Sequence, residues 1–194
     1  MSTTRLEAFS DAVIAILITI MVLELRPPEG THLADLRDLT PTFLSYVLSF
    51  VYLGIYWNNH HHLFQVTRQV NGVILWANLH LLFWLSLFPF VTSWMGEHSF
   101  AKVPTAVYGV VFLFAAIAYY VLQLAIVHDE GRDSQIAVAL GADLKGKLSP
   151  VIYLVCIPIA LVNQWIAVAG YVVVALLWLV PDRRLSQLGP DAQP

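Results

Sequence analysis

Along the chain, long apolar runs alternate with short polar breaks at the spacing of a helical membrane protein. The first run spans Leu6 to Leu25 and stops at Arg26-Pro27-Pro28-Glu29-Gly30, where proline cannot continue a helix and restricts its predecessor. The pattern predicts further helices over 41–62, 70–95, 104–127, 148–162 and 165–180. Pro89 marks a kink in the third, and Pro104 suits the start of the fourth. His128 to Lys147 is the longest polar stretch and reads as an aqueous loop, in part helical. Leu148 to Val180 is apolar for 33 residues. That is roughly 50 Å of helix against a hydrocarbon core roughly 30 Å thick, so the run is divided at Asn163-Gln164 into a tight hairpin. The fold class expected is an all-α, polytopic transmembrane protein, with one six-helix unit over residues 1–184 and a flexible polar tail over 185–194.

Composition sharpens this picture. Hydrophobic residues are 58% of the chain and charged residues 12%, about half the charged share of a soluble domain, and mean hydropathy is +0.70. A water-soluble fold of 194 residues has no interior large enough to hide that apolar surface. The net charge of -3 points away from a nucleic-acid partner. The single cysteine, Cys156, lies in an apolar run and reads as a small buried hydrophobe. Glu7 and Asp11 precede the first run and no small-x-small site follows it, so it is expected to be a mature helix and not a signal peptide. Six crossings put both termini on one side. That side holds Arg5, Arg68, Arg132, Lys145, Lys147, Arg183 and Arg184, against Arg26, Arg37 and Lys102 on the other, so the termini are expected in the cytoplasm.

The first helix carries polar groups where lipid should be. Its uncharged stretch between Asp11 and Glu24 is 12 residues, roughly 18 Å, so spanning draws Phe9-Ser10-Asp11 into the apolar zone. A carboxylate there faces protein or water rather than lipid. Ala12, Ile16, Thr19 and Leu23 follow 4-3-4 spacing and form one stripe, with Ile20 beside it; Asp11 points about 140° away from Ile16. The stripe is thus free to face a symmetry axis or partner, while Asp11 faces neighbouring helices and needs donors. Trp57-Asn58-Asn59-His60-His61-His62 on the second helix, and Asn71, Asn78 and His80 on the third, supply them. An indole and an imidazole N–H together would satisfy Asp11. The three consecutive histidines splay by about 100° each and do not converge on a metal, and Trp84, Trp94, Trp165 and Trp178 read as interface belts or packing.

Arg5-Leu6-Glu7-Ala8-Phe9-Ser10-Asp11 fits R-x-x-x-F-S-D at the start of a first transmembrane helix, and Trp57-Asn58-Asn59-His60-His61 with Phe64 fits W-x-N-H-H-x-x-F. In both stretches, and across nearly its whole length, the chain resembles the lysosomal-type potassium channel family, whose prokaryotic members have six helices. It has Ala12-Val13-Ile14 where members often have Gly-Val-Phe. The resemblance implies a homotetramer whose four first helices line a central potassium-permeable pore. Ile16 then matches the isoleucine constriction, Thr19 a polar layer implicated in selectivity, and Leu23, with Ile20 on the same face, further narrowing. The resemblance also implies a network that ties the pore helix to its neighbours, comprising Arg5, Phe9, Ser10 and Asp11 with Trp57, His60, His61 and Asn78. No cofactor is expected beyond permeant K+, passing close to Ile16 and Thr19. No Thr-Val-Gly-Tyr-Gly-like segment is present, so the sequence does not support a carbonyl-ring filter.

Two other functions compete. A proton-coupled transporter or proton channel would use Asp11, His60, His61 and His80 as a relay, though such transporters usually have more crossings and repeated halves. A membrane enzyme or haem protein lacks support: there is no Cys-x-x-Cys-His, no glycine-rich phosphate loop and no nucleophile–base constellation, and adjacent Ser10 and Asp11 splay on a helix.

Overall fold

A computed structural model describes residues 2–131, 137 and 144–179, all of them helix and connecting turns. Arg132, Asp133, Asp143, Arg183, Arg184 and the expected tail at 185–194 lie outside the described residues. The helices are α1 (Thr3–Leu23), α2 (Thr40–Gln65), α3 (Gly72–Ser86), α4 (Phe88–Glu97), α5 (Lys102–Glu130), α6 (Leu144–Val162) and α7 (Gln164–Leu179), with a 3-10 turn at Leu33–Arg37. Helices α3 and α4 form one span interrupted at Leu87, which gives six helical spans among the described residues. Four of these, namely α1, α3 with α4, α5 and the Lys145–Val162 part of α6, are each long and apolar enough to cross a membrane.

Local chemistry explains where the helices begin and end. Ser2 Oγ accepts from the Arg5 backbone N–H, so α1 starts three residues before Leu6. It ends at Leu23, before the expected Leu25, because the chain ahead of Pro27 leaves helical conformation early. Asn71 Oδ1 caps the Ile74 N–H at 2.9 Å, which sets the start of α3 at Gly72. Pro89 sits in the first turn of α4, where its missing N–H costs nothing. Helix α5 continues to Glu130 and stops at Gly131, whose φ of 96° suits glycine. His128, Asp129 and Glu130 are therefore helical and not loop. Asp129 accepts from Asn71 Nδ2 and Glu130 from the Arg68 backbone N–H, each at 2.7 Å, so the end of α5 holds the turn between α2 and α3. Helix α6 begins at Leu144 rather than Leu148, and Asn163 separates it from α7 while accepting from the Trp165 N–H.

Helix α5 is the hub, packing on α3, α4, α6 and α7, while α1 packs on α2, α3 and α4 at the edge of the bundle. The core around the hub is rich in tyrosine. Tyr153 donates to the Tyr52 hydroxyl, which donates to the Tyr171 carbonyl at 2.6 Å, and the Tyr171 hydroxyl donates to the Thr105 carbonyl. Tyr108 bonds Ser49, which bonds Thr92. All four tyrosines are fully buried, so each hydroxyl needs a partner and has one. Two tryptophans are packing residues: Trp84 donates to His80 and stacks on Phe114, and Trp178 donates to Ser149. This scaffold holds α1 against α2, α3 and α4.

Candidate functional site: the first helix and its anchors

Helix α1 has two faces with different tasks. Leu6, Ser10, Ile14, Leu17 and Met21 are buried against the bundle. Ala12, Ile16, Thr19, Ile20 and Leu23 are exposed on the protomer, with Ile16 57% and Leu23 76% exposed. With 21 residues the helix is about 31 Å long, the thickness of a hydrocarbon core, and Asp11 lies roughly 12 Å from its start.

Polar contacts fix the buried face. Asn78 Nδ2 on α3 donates to Ser10 Oγ at 2.9 Å, and Ser10 donates to the Leu6 carbonyl at 2.9 Å. Because the Asn78 amide nitrogen is engaged with Ser10, its oxygen accepts at 2.8 Å from His60, which therefore carries its proton on Nε2. Ser10, His60 and Asn78 are at most 1% exposed, so this chain joins α1, α2 and α3 through the dry interior. His60 Nδ1 has no hydrogen-bond partner among the described residues.

A second pair of contacts lies closer to solvent. Trp57 Nε1 donates to Asp11 Oδ1 at 3.0 Å, and His61 Nδ1 donates to Glu7 Oε1 at 2.6 Å. The acceptors are four residues apart on α1 and the donors four apart on α2, so each pair lies on one helix face and the two faces meet. The structure thus corrects the expectation that Asp11 takes both an indole and an imidazole: the imidazole goes to Glu7, which sequence reasoning left out of the network. Arg5 and Phe9, placed in the network by resemblance, point outward from the protomer, and Phe9 is 50% exposed. The three histidine rings diverge to Asn78, Glu7 and Gln65, as helical geometry requires. His80 accepts from Trp84.

Thr19 is the polar member of the exposed stripe. Its hydroxyl donates to the Ala15 carbonyl at 2.8 Å, which uses its only proton and leaves oxygen lone pairs uncommitted. Such a group can accept from water or coordinate a cation, but has no donor left for an anion. At the far end of α1, Glu24 lies near Glu97 and Ser93 of α4. Burial, then the neighbouring Glu97 carboxylate, push the Glu24 carboxyl above its ordinary range, and the nearby Ser93 hydroxyl opposes them.

Residues 5–89 match the model of the family described as endosomal/lysosomal potassium channel TMEM175, a region that holds both motifs and all the anchors above. A protein named potassium channel from Chryseobacterium sp. (strain P1-3) is 51% identical over 187 residues, covering 96% of this chain and 97% of its own. The crystal structure of a lysosomal potassium-selective channel TMEM175 homolog from Chamaesiphon minutus superposes with a TM-score of 0.79 at 28% identity, covering 94% of this chain and 97% of that one. A human protein named endosomal/lysosomal proton channel TMEM175 is 28% identical over 128 residues, 63% of this chain and 25% of its own. With sequence identity running across nearly the whole of a relative, and the same helical fold in a solved homolog, this integral membrane protein belongs to the TMEM175 family.

Proposed function

We propose that the chain is a potassium-permeable cation channel in a prokaryotic plasma membrane, with both termini cytoplasmic. Four copies place their α1 helices around one axis, and the exposed stripe of each lines the pore. The observation that carries this reading is the two-faced α1. Its inner face is fixed in rotation by a buried hydrogen bond to Asn78 of α3, which in turn bonds His60 of α2, and its outer stripe is apolar with one acceptor-only hydroxyl. The names and near-complete coverage of the bacterial relatives support potassium as the ion. Ile16, Ile20 and Leu23 form hydrophobic rings that conduct when wetted and close when dry, and Thr19 offers a ring of oxygens to a partly dehydrated ion. No backbone-carbonyl filter is needed in this scheme.

Replacing Ile16 with asparagine tests it. A polar ring stays wet, so single-channel conductance should rise and discrimination between K+ and Na+ should weaken. Unchanged current and ion preference would remove Ile16 as the constriction. The printed name of the human relative favours a second reading, proton permeation along the same helix past Asp11. Flux that requires a pH gradient would support it over the potassium channel.

A further inference from the structure

His61 makes two hydrogen bonds of opposite sense. Its Nδ1–H donates to Glu7 on α1, while its Nε2 accepts at 2.8 Å from the Gln65 side-chain amide one turn along α2. An Nε2 that accepts carries no proton, so the arrangement belongs to the neutral imidazole. The Gln65 oxygen makes a long contact of 3.5 Å with His62 Nδ1, which orients the amide. The Trp57 indole stacks on the His61 ring with planes 14° apart and at the same time donates to Asp11. Unlike His60, His61 is about one-third exposed, and Glu7 one-fifth, so protons reach the pair from the terminal side of the bundle.

Adding a proton to Nε2 sets two donors against each other, His61 Nε2–H and the Gln65 amide N–H. A half-turn of the Gln65 amide relieves the conflict by presenting its oxygen to His61, at the loss of the long His62 contact. On the other side of the ring, the neutral hydrogen bond to Glu7 becomes an ion pair. The ionisable groups around His61 are Glu7 and Asp11 on α1 and His60 and His62 on α2. The asparagine that α3 contributes nearby is uncharged, Arg5 points outward, and Arg68 beyond the end of α2 is engaged with Glu130.

We propose that His61 is a regulatory proton-binding site, with Gln65 as its two-position partner, through which acid on the terminal side tightens the link between α1 and α2. The proposal rests on the reading of α1 as the pore helix: widening the Ile16 ring requires α1 to move against α2, so a tighter link disfavours opening.

The test uses the full chain reconstituted in bilayers, with the terminal-side solution stepped from pH 7.5 to 5.5. Current should fall about two- to fivefold, the population shift expected of a partly exposed ion pair. His61→Gln, which keeps a neutral donor for Glu7, should remove the pH response. Gln65→Glu, which favours the imidazolium, should move its midpoint to higher pH, and His62→Gln should leave the response in place. A readout independent of current is tryptophan fluorescence, since an imidazolium stacked on indole quenches it. The quenching curve of the wild type minus that of His61→Gln should isolate Trp57 from the His80–Trp84 pair, and should vanish in a Trp57→Phe background. A pH response retained in His61→Gln overturns the proposal, as does a difference curve flat between pH 5 and 8. If no variant conducts, the channel reading fails, while the fluorescence titration still decides whether His61 binds the proton.

Discussion

Replacing Ser10 with alanine removes one oxygen from the middle of α1, and its cost follows from the bonds that oxygen makes. Ser10 Oγ receives the Asn78 amide at 2.9 Å, with both residues at 0% exposure. An interhelical hydrogen bond in a membrane protein contributes about 0.6 to 1.7 kcal/mol. Stranding the Asn78 N–H in a dry interior adds about 1 kcal/mol, so Ser10→Ala should cost about 1–3 kcal/mol. Asn78→Ala should cost more, about 2–4 kcal/mol, because it also strands the His60 Nε2–H on a ring whose Nδ1 already has no partner among the described residues. The bond common to both is removed only once in the double mutant. A cycle measured by reversible detergent-induced unfolding should therefore show coupling of about 0.6–1.7 kcal/mol between the two sites. Strict additivity, with coupling below about 0.3 kcal/mol, would refute the claim that this bond ties α1 to α3.

Other substitutions probe the remaining links. Trp57→Phe keeps the ring but removes the indole donor to Asp11, and should cost about 1 kcal/mol in the same unfolding assay while loosening α1 enough to alter gating. Tyr52→Phe strands the Tyr153 hydroxyl and frees the Tyr171 carbonyl, so a loss of about 1–3 kcal/mol is expected, with ion selectivity unchanged because the pair lies away from α1. Gly109→Ala sets a methyl group against the Tyr171 hydroxyl, and a lowered thermal midpoint checks it. Glu24 binds its proton more tightly folded than unfolded, so the stability it contributes is present at acid pH and lost as pH rises through its raised folded pKa. Glu24→Gln should flatten that part of the pH–stability profile, and a profile parallel to wild type would count against the burial and Glu97 effects at this position.

Much of the fold was legible because lipid imposes simple rules. The break near Pro89 and the hairpin at Asn163 follow from proline chemistry and from the length of helix a bilayer accommodates. The two faces of α1 were legible as well: a carboxylate 140° from an apolar stripe demands two different environments. Glu7 was harder to find. It falls on an x position of the R-x-x-x-F-S-D pattern, which marks Asp11 and not Glu7. The signal that finds it is the matched spacing, Glu7 with Asp11 and Trp57 with His61, each four residues apart on helices that pack together. The tyrosine core was not legible, because its hydroxyl bonds join α2, α5, α6 and α7 across separations that no local pattern encodes. The outward placement of Arg5 and Phe9 was likewise beyond a reading by motif, since a motif gives residue types and not directions.

The most direct measurement is potassium flux into liposomes holding the purified full chain, with a K+ gradient, no pH gradient, and parallel sodium and valinomycin controls. A potassium pore lined by α1 should pass K+ under these conditions, pass Na+ more slowly, and pass both faster after Ile16→Asn. Flux that appears only with a pH gradient, or none in liposomes where valinomycin releases the full signal, would contradict it.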